Sequence, residues 1–159
     1  IYSEPDTGTT FKVLFPAVTD AVELPNAGGN GDHWKGEGTV LLVDDEETVR
    51  SISKKLLSKL GLTVLTAEDG KQAASLYEKR MTEIDLVLLD LTMPHMNGED
   101  AYRAMRALNP DVKVILASGY SETDIASRFA GKGLVGCLQK PYTLRKLRRL
   151  LSDALPAAT

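Results

Sequence analysis

The sequence predicts an α/β fold: a five-stranded parallel sheet with helices on both faces, preceded by a short N-terminal strand and a linker. Two observations carry this. From Thr39 onward, short apolar runs alternate with segments of helical periodicity, making five β-α units. Strands separated by helical patterns imply parallel pairing with right-handed crossovers. In addition, four of the runs end in polar residues: Asp44-Asp45, Asp90, Ser118 and Lys140. If the runs are parallel strands, these residues lie along one sheet edge, where open α/β sheets bind ligands.

The elements follow in order. Thr39–Val43 is the first strand of the sheet. Val49, Ile52, Leu56 and Leu60 then recur at helical spacing, and Gly61 is placed to end that helix. Leu62–Thr66 is a short β-branched strand, and a helix from Asp69 to about Arg80 carries Ala73, Leu76 and Tyr77. The run from Ile84 to Leu89 is the third strand. A loop with Pro94 and Gly98 leads to a helix bearing Ala101, Met105 and Leu108, which Asn109-Pro110 breaks. The fourth strand ends at Ala117, a weaker helix covers Ser121 to Ala130, and Gly131-Lys132-Gly133 is a turn. The fifth strand, Leu134–Gln139, leads through Lys140-Pro141 to a helix with Leu144, Leu147, Leu150, Leu151 and Leu155.

The segment before Thr39 is different in character. Thr9–Phe15 reads as one strand stopped by Pro16. Pro25 to Asp32 is rich in turn formers and reads as flexible linker, with His33 and Trp34 following. The expected divisions are therefore residues 1–16, a linker over 17–38, and a main domain over 39–155.

Composition excludes several classes. A chain of 159 residues suits one domain with a small appendage. The net charge of −3 argues against a general nucleic-acid binder. The lone Cys137 cannot form an internal disulfide, and its apolar surroundings favour an inert buried thiol. No apolar stretch is long enough to span a bilayer, so no direct membrane contact is expected. The expected location is cytoplasmic, whether or not a parent protein is membrane-anchored. The start at Ile1 rather than Met reads as an excised fragment.

The polar strand ends carry the chemistry. Asp44, Asp45 and Asp90 would gather about three negative charges in one cleft, where repulsion and burial both raise carboxylate pKa values. A hard divalent cation relieves both, and few all-oxygen protein ligands suit Mg²⁺. One of the paired aspartates is also expected to cap the following helix. Lys140 can neutralise charge on a transferring phosphoryl group, and Ser118 can donate one hydrogen bond to it. With Asp90 as nucleophile, the parts match in-line phosphoryl transfer to a carboxylate. His95 reads as an exposed loop histidine and Asn97-Gly98 as a structural turn. Arg145, Lys146, Arg148 and Arg149 read as a solvated helix face or a contact for an acidic partner.

At this point the chain resembles a known family. Val43-Asp44-Asp45, Leu89-Asp90-Leu91-Thr92-Met93-Pro94 with Gly98, Ala117-Ser118-Gly119-Tyr120 and Lys140-Pro141, in that order, are similar to the receiver domains of response regulators in two-component signalling. The resemblance covers Thr39 to Leu155. It implies a flavodoxin-like doubly wound fold, with Asp90 accepting a phosphoryl group from phosphohistidine. It implies that Asp45, Asp90 and the Thr92 backbone carbonyl bind Mg²⁺ directly, with Asp44 acting largely through water. It implies that Ser118 and Lys140 contact the phosphoryl group, and that the domain catalyses its own phosphorylation and dephosphorylation. Such receivers commonly carry an aromatic switch residue three positions before the lysine. Cys137 stands there in this chain, which leaves Tyr120 or Tyr142 as substitutes.

A second resemblance lies at the N-terminus. Glu4 to Pro16, with Gly8-Thr9-Thr10-Phe11, is similar to the last strand of histidine-kinase ATP-binding domains. Kinase tail, linker and receiver together imply the C-terminal part of a hybrid histidine kinase, here without an ATP site. The implied partners are a kinase phosphohistidine domain or a histidine phosphotransfer protein, with no DNA-binding output domain expected after Thr159. A homodimer through the last helix and strand stays open. The alternative function is a Mg²⁺-dependent small-molecule phosphohydrolase working through an aspartyl-phosphate. That enzyme wants a second Asp two residues after the nucleophile, where this chain has Thr92, and a cap over the substrate. An interaction-only receiver would need a lost site residue, and a flavin phosphate would be repelled by acidic strand ends.

Overall fold

A computed structural model describes residues 2–5, 8–12, 34–129 and 133–158. The five expected strands of the sheet form: β3 (Thr39–Val43), β4 (Thr63–Ala67), β5 (Leu86–Asp90), β6 (Val114–Ser118) and β7 (Gly136–Gln139). They pair parallel in the order β4-β3-β5-β6-β7. The helices are α1 (Glu47–Lys59), α2 (Gly70–Arg80), α3 (Gly98–Leu108), α4 (Glu122–Arg128) and α5 (Leu144–Ala154).

The strands read as unbroken apolar runs because both faces of the sheet are covered. Leu41, Val43, Val87, Leu89, Val114 and Leu116 pack with Ala73 and Tyr77 of α2, Ala101 and Met105 of α3, and Ile125 of α4. Alternate residues Val40, Leu42, Leu86, Leu88, Ile115 and Leu138 pack with Leu57 of α1 and with Leu147 and Leu151 of α5. Each helix thus seals one face with an apolar stripe, at about 1.5–3 kcal/mol for each fully buried large aliphatic side chain.

Several boundaries and stripes depart from the sequence reading. The β4, β5, β6 and β7 strands begin one to two residues later than their apolar runs do. On α1, Ile52 is 54% exposed, while Ser53 and Leu57 face the core. Hydrophobicity ranks Ile52 above Ser53, but the helix phase set by Leu57 and Leu60 turns Ile52 outward. Leu108 and Leu144 are likewise exposed at helix ends. Gly61 does end α1, with φ of 92°, the left-handed conformation that favours glycine.

Among the described N-terminal residues, two short strands stand where one is expected, β1 (Tyr2–Glu4) and β2 (Gly8–Thr10), paired antiparallel. Phe11 and Lys12 of the expected Thr9–Phe15 run lie past the end of β2, while Val13–Phe15, Pro16, residues 17–33 of the expected 17–38 linker with His33, and Ala130, Gly131 and Lys132 lie outside the described residues. Trp34 packs on the α1/α5 side of the core. Beside it, Gly36 bridges Ala157, the Ala158 N–H donates to the Lys35 carbonyl, and the Gly36 N–H donates to the Leu60 carbonyl. Residues 34–38 of the expected linker thus pack with the main domain, as do Ala157 and Ala158 past its expected end.

Candidate functional site

The strand order reverses direction between β3 and β5, and the crevice at their C-terminal ends is the ligand position in such a sheet. Asp44 and Asp45 leave β3 there, and Asp90 is the last residue of β5. One acidic oxygen from each of the three lies within 4.8 Å of the others. Asp44 and Asp90 are buried, whereas Asp45 is exposed. Lys140, just past β7, reaches across β6 and places its Nζ 2.7 Å from Asp44 Oδ2 and 2.7 Å from Asp90 Oδ2.

Backbone groups hold the carboxylates in place. The Glu46 N–H donates to Asp44 Oδ1 at 3.0 Å, and the Thr92 N–H donates to Asp90 Oδ1 at 3.1 Å. Arg50 of α1 donates to the Asp44 carbonyl at 2.6 Å. The expected capping of α1 by an aspartate does not occur: its N-cap is Glu46, with no side-chain cap bond. Asp44 spends its free oxygen on the loop and Lys140 instead, which fixes the loop one residue before the helix.

The charges do not balance, as three carboxylates face one ammonium. Burial lifts the Asp90 carboxyl above the ordinary aspartate range; Lys140 and the Thr92 N–H pull it down, and Asp44 pushes it up again. Burial opposes the Lys140 ammonium, but its bonds to Asp44 and Asp90 outweigh this and hold its pKa above the ordinary lysine value. The two shifts pull opposite ways across one ion pair because burial dominates at Asp90, whereas the two carboxylates together outweigh burial at Lys140. The residual negative charge, the all-oxygen donors and the exposed Asp45 fit a hard divalent cation such as Mg²⁺.

The remaining expected residues take different positions. Ser118 ends β6 fully buried, and its Oγ accepts from the Tyr120 N–H at 3.1 Å. The Lys140 N–H donates to the Ser118 carbonyl at 2.7 Å, tying the two strand ends together. Tyr120 is 59% exposed and turned to solvent. Cys137 is half-buried beside Leu116, with burial pushing its thiol up. Tyr142 is half-buried, with its hydroxyl 3.4 Å from Ser53 Oγ. His95 is exposed, with φ of 65°.

Two features were not drawn from the sequence. Asn97 caps α3 by accepting from the Asp100 N–H, so Asn97-Gly98 is a helix start rather than a turn alone. A Cβ on Gly98 would lie 2.2 Å from the Asp90 carbonyl oxygen, so only glycine lets α3 begin this close to Asp90. The other feature is Glu99, 7% exposed, whose carboxylate is gripped by Arg103 and Arg128. A glycine eight residues after Asp90, at the head of a helical pattern, is the sequence signal for the first; in the second, Glu99 and Arg103 have the i,i+4 spacing of a helical ion pair, while Arg128 is too distant in sequence to leave a signal.

An acidic crevice with a bridging lysine, at the switch point of a doubly wound sheet, is a candidate site for a hard cation. The family model for the response regulator receiver domain matches residues 40–152. The chain is 34% identical over 161 residues to sensor kinase CckA of Brucella abortus, covering 96% of this chain and 17% of that protein. It is similar to the crystal structure of a response regulator receiver domain protein from Clostridium thermocellum, with a TM-score of 0.69 and 30% identity over 74% of this chain and 93% of that one. It is also similar to response regulator TrrA of Thermotoga maritima in complex with Mg(2+)-BeF, with a TM-score of 0.62 and 29% identity over 74% of this chain and 99% of that one. This chain belongs to the response regulator receiver family.

Proposed function

We propose that this receiver takes a phosphoryl group onto Asp90 from a phosphohistidine donor. The observation that carries the proposal is the Lys140 ammonium bridging Asp44 and Asp90 at the C-terminal edge of the sheet. An Asp90 oxygen attacks phosphorus, a P–O bond forms, and the P–N electron pair stays on the departing imidazole. Lys140 already lies 2.7 Å from an oxygen of the attacking carboxylate and neutralises charge on the phosphoryl oxygens while keeping Asp44. Ser118 turns its hydroxyl from the Tyr120 N–H toward a phosphoryl oxygen, drawing its loop inward. Mg²⁺, held by Asp45, Asp90 and the Thr92 carbonyl with Asp44 acting through water, would screen the carboxylates and the incoming phosphoryl charge. Water attack on phosphorus returns Asp90 to its free form.

The parent protein is proposed to be a hybrid sensor kinase working in the cytoplasm. The match to a sensor kinase across 96% of this chain supports this, as do β1 and β2 in the region resembling a kinase ATP-binding domain. The proposed partners are its phosphohistidine domain or a histidine phosphotransfer protein. Among the described residues no helix is long and apolar enough to cross a membrane. The test is intact mass after incubation with acetyl phosphate, with and without Mg²⁺, on the wild type and Asp90→Asn. A Mg²⁺-dependent gain of one phosphoryl group, absent in the variant, is expected. No gain in a folded protein would overturn self-catalysed phosphorylation at this site.

A further inference from the structure

Helix α4 is held at both ends by groups that lead back to Asp90. At its start, Ser121 caps the helix three residues after Ser118. At its end, Arg128 Nη2 lies 2.5 Å from Glu99 Oε2. Glu99 also accepts from Arg103 Nη2 at 2.7 Å, one turn along α3. The Glu99 side chain is 10% exposed and that of Arg128 56%, so the carboxylate end of the pair is sheltered while the guanidinium end is open to solvent screening. Glu99 follows Gly98, whose N–H donates to the Leu91 carbonyl at 3.1 Å and whose Cα packs against the Asp90 carbonyl. The first turn of α3 therefore cannot move independently of Asp90. Phe129, next to Arg128, packs edge-on against Tyr102 of α3 at 6.0 Å, aligning the same two helices.

We infer that Glu99 is a positioning residue which, through Arg128, fixes the resting placement of α4 relative to the Asp90 backbone. The inference rests on the phosphoacceptor reading for its consequence but not for its geometry. Ser118 Oγ is engaged with its own loop and Lys140 with Asp44 and Asp90, which marks the arrangement as the resting one. In this reading the Glu99–Arg128 pair favours that arrangement over one in which α4 has shifted. Releasing it raises the fraction of molecules with α4 free to shift, and the rate of phosphorylation rises with that fraction.

The experiment compares the wild type with Glu99→Gln, Arg128→Met and Arg128→Lys. The first readout is amide hydrogen exchange in the unphosphorylated protein at Phe129, whose N–H bonds to the Ile125 carbonyl at 3.0 Å. The second is the rate of phosphorylation by acetyl phosphate. Glu99→Gln and Arg128→Met are each expected to speed exchange at Phe129 by about tenfold, the size of a contact-pair coupling. Exchange in β5 should stay unchanged, phosphorylation should accelerate severalfold, and Arg128→Lys should largely restore wild-type behaviour. Unchanged exchange at Phe129 overturns the tether. Faster exchange with an unchanged phosphorylation rate makes the pair merely structural and overturns the positioning role. A wild type that takes no phosphoryl group overturns the functional reading and the positioning role with it, and the exchange readout tells that failure apart from loss of the tether.

Discussion

Gly98→Ala separates a helix start that merely turns the chain from one that seats Asp90. The added Cβ would meet the Asp90 carbonyl oxygen at 2.2 Å, Leu91 Cα at 2.8 Å and the Asp90 carbonyl carbon at 3.0 Å. All three are backbone atoms, so no side-chain rotation relieves the contact. Restoring an ordinary separation near 3.4 Å from the oxygen requires a shift of about 1.2 Å in β5 or α3. Overpacking of this kind costs about 1–3 kcal/mol. From the middle of that range, about 2 kcal/mol, alanine recovers up to about 1 kcal/mol over glycine in a helix, which leaves a net loss of about 1–2 kcal/mol. For a domain of this size the melting temperature should fall by about 3–10 °C. The displaced Asp90 should also lose about 10- to 100-fold in its rate with acetyl phosphate, since positional errors near 1 Å are this costly. Thermal unfolding followed by circular dichroism, and phosphorylation kinetics by intact mass, measure the two. Gly119→Ala, where nothing lies within 4 Å of the new methyl group, is the stability control and should change the melting temperature little. A Gly98→Ala protein with wild-type stability and rate would refute the close-approach argument.

Other perturbations test the charge balance and the helix phase. Asp90 has its folded pKa raised, so its favourable contribution is complete below the unfolded pKa and is lost as pH rises through the folded one. Asp90→Asn should therefore melt higher than wild type at neutral pH in EDTA, with the gap closing toward acid pH; a gap that widens in acid would reverse the sign. Lys140→Met leaves two buried carboxylates facing each other and should cost about 3 kcal/mol in denaturant titrations, recovered in part by added Mg²⁺. Because the Lys140 pKa is raised, its contribution persists through neutral pH and is lost only as alkaline pH passes the folded value. Leu57→Ala should destabilise by about 2–5 kcal/mol and Ile52→Ala by less than about 0.5 kcal/mol, and equal effects would contradict the observed phase of α1.

The parts of the molecule that were legible in the sequence are those fixed locally. Strands such as Thr39–Val43 stand out because burial on both faces forces near-continuous apolar runs. Asp44, Asp45, Asp90 and Lys140 were found because each terminates such a run, and parallel topology alone brings strand ends together. The phase of α1 was misread because Ser53, a small polar residue, takes a core position beside Tyr142 while Ile52 faces water. Burial there follows from helix docking, which composition does not encode. The cap of α1 was misassigned because Asp44 is claimed by Lys140 and by its own loop. The Glu99–Arg128 pair left no local trace, since each residue reads as an ordinary charge on a helix.

Reduction of the acetyl-phosphate-treated protein with borohydride, followed by peptide mapping, locates an acyl phosphate directly. An aspartyl-phosphate is converted to homoserine, while free aspartate is untouched. The phosphoacceptor assignment predicts homoserine at position 90, only when Mg²⁺ is present. Homoserine at position 44 or 45, or none at all in a folded protein that binds Mg²⁺, would contradict it.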